Sequence, residues 1–191
     1  MFLRDFGETT DVNHDHWPDH WKRQRSIDFP SYIDINIADA ETPSDTRCLQ
    51  IDMNGGGAMI HSPQIPISPL FSYVLEGLVR TSELKHTGAS FSASYYDADG
   101  KLVDLAGKSR IVTGTNPWSR LRVGPFSTSH ERASYVVITL HVESTDNGFD
   151  LKGFAQFDDI WLARLPRMML YSNSPHNVYS GPNDVAIHCV V

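Results

Sequence analysis

GFAQFDDIWLARLP, residues 153–166, is the stretch whose reading decides the fold. Phe154, Phe157, Ile160, Trp161 and Leu162 crowd into it, the composition of a buried β-strand. Two carboxylates, Asp158 and Asp159, interrupt the run side by side. Adjacent side chains of a strand point to opposite faces, so one of the pair is expected to enter the packed side. Strict alternation places Asp158 with Phe154, Ile160 and Leu162, and Asp159 with Phe157 and Trp161, which makes Asp158 the inward one. An unpaired buried carboxylate costs on the order of several kcal/mol, so Asp158 needs a partner. A hard cation such as Ca²⁺ would serve, as would backbone N–H groups or an arginine.

Outward from this segment, strand signals dominate. YIDINI (32–37), CLQIDM (48–53), SYVLEGLVRT (72–81), SFSASYYD (90–97) and SYVVITLHVES (134–144) all alternate at period two. AMIHS, QIPISP, SRIVT and SRLRVG are shorter candidates. Turn residues separate them: Asn54-Gly55-Gly56-Gly57, Asp97-Ala98-Asp99-Gly100 and Thr145-Asp146-Asn147-Gly148. LFSYVLEGLVRTSEL could be threaded at helical spacing, but Gly77, its β-branched residues and Pro69 favour a strand. Nine to eleven short strands at this spacing predict an all-β fold, a two-sheet antiparallel β-sandwich of jelly-roll type. Residues 9–31 read as a long polar loop anchored by Trp17 and Trp21. Residues 1–166 are expected to form the sandwich, and 167–191 a linker followed by the first strand of a further, truncated domain.

Composition narrows the function. The 191 residues are 40% hydrophobic and 20% charged, a globular balance. Net charge is −7 with no Lys or Arg block, which argues against a nucleic-acid-binding face. Cys48 and Cys189 form neither a disulfide framework nor a zinc motif. No apolar run approaches the ~18 residues of a membrane span. MFLRDFGETTDV lacks the basic start and apolar core of a secretory leader, although a chain cut after such a leader would look the same.

Catalytic and metal signals are sparse. NHDHWPDHW offers His14, His16 and His20, but in a proline-interrupted loop that reads as solvated. No nucleophile elbow is present, and His61 beside Ser62 points the wrong way for a triad. Glu76 and Asp52 are the acids to consider for glycoside hydrolysis, and nothing in the sequence sets them across a cleft. The aromatics are more informative. Alternation puts Tyr95 with Phe91 on one face and Tyr96 with Ser92 and Ser94 on the other. A polar sheet face that carries an aromatic ring suits a sugar, which stacks its apolar side and hydrogen-bonds its hydroxyls. Tyr96 and Ser94 are the preferred ligand contacts, with Tyr73 and Trp118 as further candidates.

The order of these features resembles the carbohydrate-binding-module-like jelly rolls of the galactose-binding-domain-like type, often attached to bacterial glycoside hydrolases. The pattern runs over residues 2–166: a Trp loop, CLQIDMNGGGAMIHSPQIPISP, YVLEGLVRT, ASFSASYYDADGK, GTNPWSRL, ASYVVITLHVES and FAQFDDIWLARLP. Phe157-Asp158-Asp159-Ile160 and Pro117-Trp118 are its most specific pieces. The resemblance implies a structural Ca²⁺ held partly by Asp158, with Asp159 as substitute. It also implies an acid just after a Phe in the first strand. Here Phe6 is followed by Gly7, leaving Glu8 and Asp5 as candidates. The expected protein is a non-catalytic carbohydrate-binding module of a larger, exported protein. The alternative is a structural module that packs against a neighbouring domain and binds no sugar.

Overall fold

The structure, a computed structural model, describes residues 2–4, 6–7, 11–43, 46–128, 130–148, 151–166, 169–174, 176 and 178–190. The strands run β1 (Phe2–Arg4), β2 (Lys22–Arg23), β3 (Asp34–Asp39), β4 (Arg47–Asn54), β5 (Ala58–His61), β6 (Ile65–Pro66) and β7 (Phe71–Tyr96). They continue with β8 (Leu102–Lys108), β9 (Val112–Phe126), β10 (Tyr135–Ser144), β11 (Lys152–Pro166), β12 (Met169–Ser172) and β13 (Ile187–Val190). Eleven of them join one curled antiparallel sheet.

The curl comes from β7. Its first part pairs with β11 and β9, its last part with β10 and β8. Between them the backbone bends through left-handed Glu83 (φ 52°) and His86 (φ 57°). One layer is therefore β3-β4-β11-β7-β9, the other β2-β5-β10-β7-β8. The core fills between them with Leu49, Ile51, Leu75, Val79 and Phe157 from the first layer and Ile60, Phe91, Ile138 and Leu140 from the second. The Phe91 and Phe157 rings meet with centroids 5.7 Å apart. Packing there is tight enough that a Cβ on Gly77 would come within 2.9 Å of the Phe91 ring and 2.8 Å of Ile160. The chain is thus an all-β sandwich, as its alternation predicts, but the separately expected strands at 72–81 and 90–97 are two ends of one.

Strict alternation fails in the decisive segment. Asp159 takes a left-handed conformation (φ 49°), and the β11–β7 register shifts between Asp158 and Trp161. This bulge inserts one residue, so Phe157 and Ile160 both face the core. Asp158 precedes the bulge. It shares the outer side of the first layer with Gln156, opposite Leu78, and is nevertheless 0% exposed. The expected common face for Asp158, Ile160 and Leu162 is corrected accordingly. Two residues on, β1 pairs with β11 through Arg4 and Ile160, so the start of the chain lies against this strand. A glycine in the left-handed region precedes the bulge: Gly153 has φ 98°, and a Cβ there would lie 2.4 Å from the Ser82 carbonyl oxygen.

Residues 169–172 and 187–190 pair with each other as a hairpin, forming a two-stranded sheet of their own. The Trp loop is ordered by its own side chains. Asp11 accepts the backbone N–H groups of Asp15 and His16, the Trp17 indole donates to the Trp21 carbonyl at 3.0 Å, and Trp21 packs against Phe6.

Candidate functional site

Strand β10 alternates core residues Val136, Ile138, Leu140 and Val142 with Tyr135, Val137, Thr139, His141 and Glu143 on its outer side. From Tyr135 to Glu143 this track runs about 26 Å at ~3.3 Å per residue. Its neighbours are fixed by register: Tyr96 opposite Tyr135, Ser94 opposite Val137, Ser92 and His61 opposite Thr139.

At one end the Tyr96 and Tyr135 rings stack with centroids 5.5 Å apart and planes 6° apart. They line a cleft of about 610 Å³ with His20, Lys22, His61 and Gln64. The middle is a floor of short polar side chains. His61 Nδ1 and the Thr139 hydroxyl are 2.9 Å apart, and Ser92 Oγ lies 2.7 Å from His141 Nε2. His141 Nδ1 donates to Glu143 Oε2 at 2.9 Å, and Lys108 reaches the same oxygen at 3.4 Å. At the far end Glu143 enters a second cleft of about 660 Å³ with Phe29, Gly57 and Asp146. One strand therefore joins an aromatic platform, a hydrogen-bonding floor and a charged end.

Ser92, His141 and Glu143 have the connectivity of a hydrolytic triad. Ser92 lies mid-strand between the β10 and β8 ladders, which engage the neighbouring backbone N–H groups that an oxyanion site would need. The unit is read as a polar network. The hydrogen bond from His141 holds the Glu143 carboxyl below the usual range, helped by the charges of His141 and Lys108. Burial, then the charge of His141, holds the His61 imidazole below its ordinary 6.5. General-acid catalysis on a glycoside needs a carboxyl pushed the other way.

These two lowered values give the track a pH signature. The neutral His61 ring belongs to the folded state, so its contribution is full above 6.5 and is lost as pH falls through the folded value. Glu143 contributes above its ordinary 4.5 and loses that as pH falls further. Melting temperature is expected to drop in two stages on acidification, and His61→Gln to remove the first. A mutant whose melting temperature falls as steeply as that of the wild type between about pH 7 and about pH 5.5 would contradict this.

The other sequence candidates fall elsewhere. Tyr73 is a core residue, stacked on Phe126 with its hydroxyl bonded to the Ser68 N–H at 2.8 Å, so it cannot meet a ligand on the track. Trp118 belongs to the first layer, on β9, and its indole N–H donates to the Glu41 carbonyl at 2.9 Å. Glu76 is held by Arg120 at 3.0 Å and Arg122 at 3.4 Å. Asp52 accepts from Gln50. Asp159 lines a cavity of about 70 Å³ with Leu3, Arg120 and Trp161, apart from the enclosed Asp158. Asp5 and Glu8 lie outside the described residues. Sequence reading weighed His61 only as a triad member and passed over Thr139, His141 and Glu143. The polar half of the 134–144 alternation was the signal for these three.

No family model and no curated protein matches the chain by sequence. Solved structures match its fold. The enzymatically active domain of bacteriophage CBA120 tailspike protein 4 superposes with a TM-score of 0.63 at 11% identity, over 85% of this chain. This chain spans only 21% of that domain. The CBM22-1 xylan-binding domain of Paenibacillus barcinonensis Xyn10C matches at TM-score 0.54 and 14% identity, covering 87% of this chain and 94% of its own. TmCBM61, solved with β-1,4-galactotriose, matches at 0.53 and 12%, covering 84% and 99%. The chain shares the antiparallel β-sandwich fold of these domains.

Proposed function

We propose that the chain is a non-catalytic carbohydrate-binding module of a larger, exported protein, and that the outer track of β10 is its binding surface. The stacked Tyr96–Tyr135 pair at the head of a floor of short hydrogen-bonding side chains carries this reading. A pyranose ring stacks on the half-buried Tyr96, backed by Tyr135, while the half-buried Ser94, His61 and Glu143 meet its hydroxyls over the Thr139 and His141 floor. One structural neighbour is a xylan-binding domain and another was solved with β-1,4-galactotriose, so soluble xylo- and galacto-oligosaccharides are the first probes. Calorimetric titration is expected to give micromolar to millimolar affinity for a β-linked glycan. Silence across these probes and a glycan array would defeat the reading.

A second reading, a module that packs against a neighbouring domain, is favoured by the β12–β13 hairpin. It exposes Leu170, Tyr171 and Ile187, more apolar surface than a hairpin in water needs. The two readings are compatible, since the hairpin lies on strands separate from the track.

A structural Ca²⁺ with Asp158 as a ligand completes the proposal. Among the described residues no group of three or more His, Cys, Asp or Glu side chains converges. The Cys48 thiol lies near Asp158: burial and then the Asp158 charge push it up to about 12, against the opposing charge of Arg80. The described part thus offers one carboxylate, and Asp5 and Glu8 would have to supply the rest. If calcium is bound, EDTA is expected to lower the melting temperature by about 5–10 °C, with recovery on adding Ca²⁺. An unchanged melting curve would remove calcium from the proposal and leave the sugar site standing.

A further inference from the structure

The outer side of the first layer carries an ordered polar row. Register sets Asn36 opposite Gln50, Gln50 opposite Gln156, and Gln156 opposite Arg80. At ~4.8 Å between strands the row spans about 14 Å across four of them. Its amides are oriented in one sense. Gln50 Nε2 donates to Asp52 at 2.9 and 3.1 Å, which turns its Oε1 toward Gln156, and Gln156 Nε2 donates to that oxygen at 2.7 Å. Gln156 Oε1 is left as the open end of the chain: a buried acceptor without a hydrogen-bond partner among the described residues, on a residue only 5% exposed.

An aromatic flanks the row. The β7–β9 register steps from Val79–Ser119 to Thr81–Asn116, so Pro117 and Trp118 stand opposite Arg80 in a bulge. The bond from the Trp118 indole to Glu41, in the loop after β3, fixes a half-buried ring in place. Loop and ring form a border to the row, and Phe154 lies one row away on β11.

We infer that this face is a second saccharide-binding surface, opposite in direction to the β10 track and independent of it. It would take a neutral glycan segment, with a sugar hydroxyl donating to Gln156 Oε1, Arg80 and Asn36 donating to sugar oxygens, and Trp118 as the stacking wall. The ligand class follows from the chemistry. Asp52 and Asp34 would repel a uronate or sulfate, and a simple cation would be repelled by the Arg80 guanidinium opposite Gln156 and leave its donors unused. Asp52 is already engaged by Gln50, so the open valences are those of amides and a guanidinium. Reaching Gln156 requires only side-chain motion of its half-buried neighbours Gln50 and Arg80, which is fast.

The ligand class rests on the carbohydrate reading given above, and the test separates the two. The full chain, labelled with ¹⁵N, is titrated with xylohexaose and with β-1,4-galactotriose. The side-chain amide signals of Gln50 and Gln156 are expected to shift, and to do so still in Tyr96→Ala. Arg80→Ala, checked for folding by the dispersion of its spectrum, is expected to weaken those shifts at least about tenfold while sparing signals along β10. Shifts confined to the β10 track would overturn the second surface and keep the first. Shifts confined to the Gln50–Gln156 row would do the reverse. No shifts with either sugar would overturn both.

Discussion

Phe157→Ala is expected to destabilise the protein by about 3–5 kcal/mol, the largest effect of any single truncation on β11. Phe157 is fully buried, and its ring is the contact between the two layers through Phe91. Truncation removes the transfer energy of the ring and leaves a cavity that neighbouring strands cannot close. They are held by ladders on both sides, β4 on one and β7 on the other. A melting temperature lower by about 10 °C or more follows for a chain of this size. Denaturant titration measures it directly. A loss below about 1.5 kcal/mol would mean that the layers do not meet at this ring. The same experiment on Phe154, half-buried on the outer side, should cost far less and serves as the internal comparison.

Tyr96→Ala is expected to weaken glycan binding by about ten- to hundredfold while leaving the fold intact. Tyr96 is half-buried and stacked on Tyr135, so the mutation removes half of the platform and no part of the core. An aromatic ring in such a contact contributes its buried area and about 0.5–1.5 kcal/mol beyond it. Each 1.4 kcal/mol is about tenfold in affinity. Titration of the mutant with whichever oligosaccharide binds the wild type is decisive. Equal affinity in the two would move the site off the β10 track. A comparable loss in His141→Ala, with Glu143→Gln intermediate, would place the sugar along the strand and not only at its tyrosine end.

Much of this was legible in the sequence, and the omissions have physical causes. Period-two alternation located β3, β4, β10 and β11 within a few residues, because each has one core side. It split β7 between 81 and 90, where the backbone turns through left-handed Glu83 and His86 and no single alternation runs across. Gly77, kept within the first of the two expected strands, marks a close approach of Ile160 and Phe91. The Asp158–Asp159 pair signalled that something special occurs in β11, and Asp158 is enclosed, though on the outer side of its layer and not on the core face expected. The bulge that re-aims Ile160 was invisible, since Asp159 enters the left-handed region without a glycine to announce it. The binding track was half-legible. Tyr96 and Ser94 stood out through an aromatic on a serine-rich face, whereas His141 and Glu143 looked like ordinary solvent-side residues. Their significance depends on Ser92 and Lys108, whose sequence separations of 49 and 35 come only with the strand order. Trp118 gave no hint of its partner Glu41, 77 residues away.

Strand β7 belongs to both layers as a single covalent ribbon, bent at Glu83 and His86. A sandwich joined only by loops could breathe like a clam, one leaf loosening before the other. Here any such gape has to tear ladders on either side of the same backbone, so the leaves must come apart together or not at all. Whatever lies against one leaf therefore rests on the rigidity of its opposite.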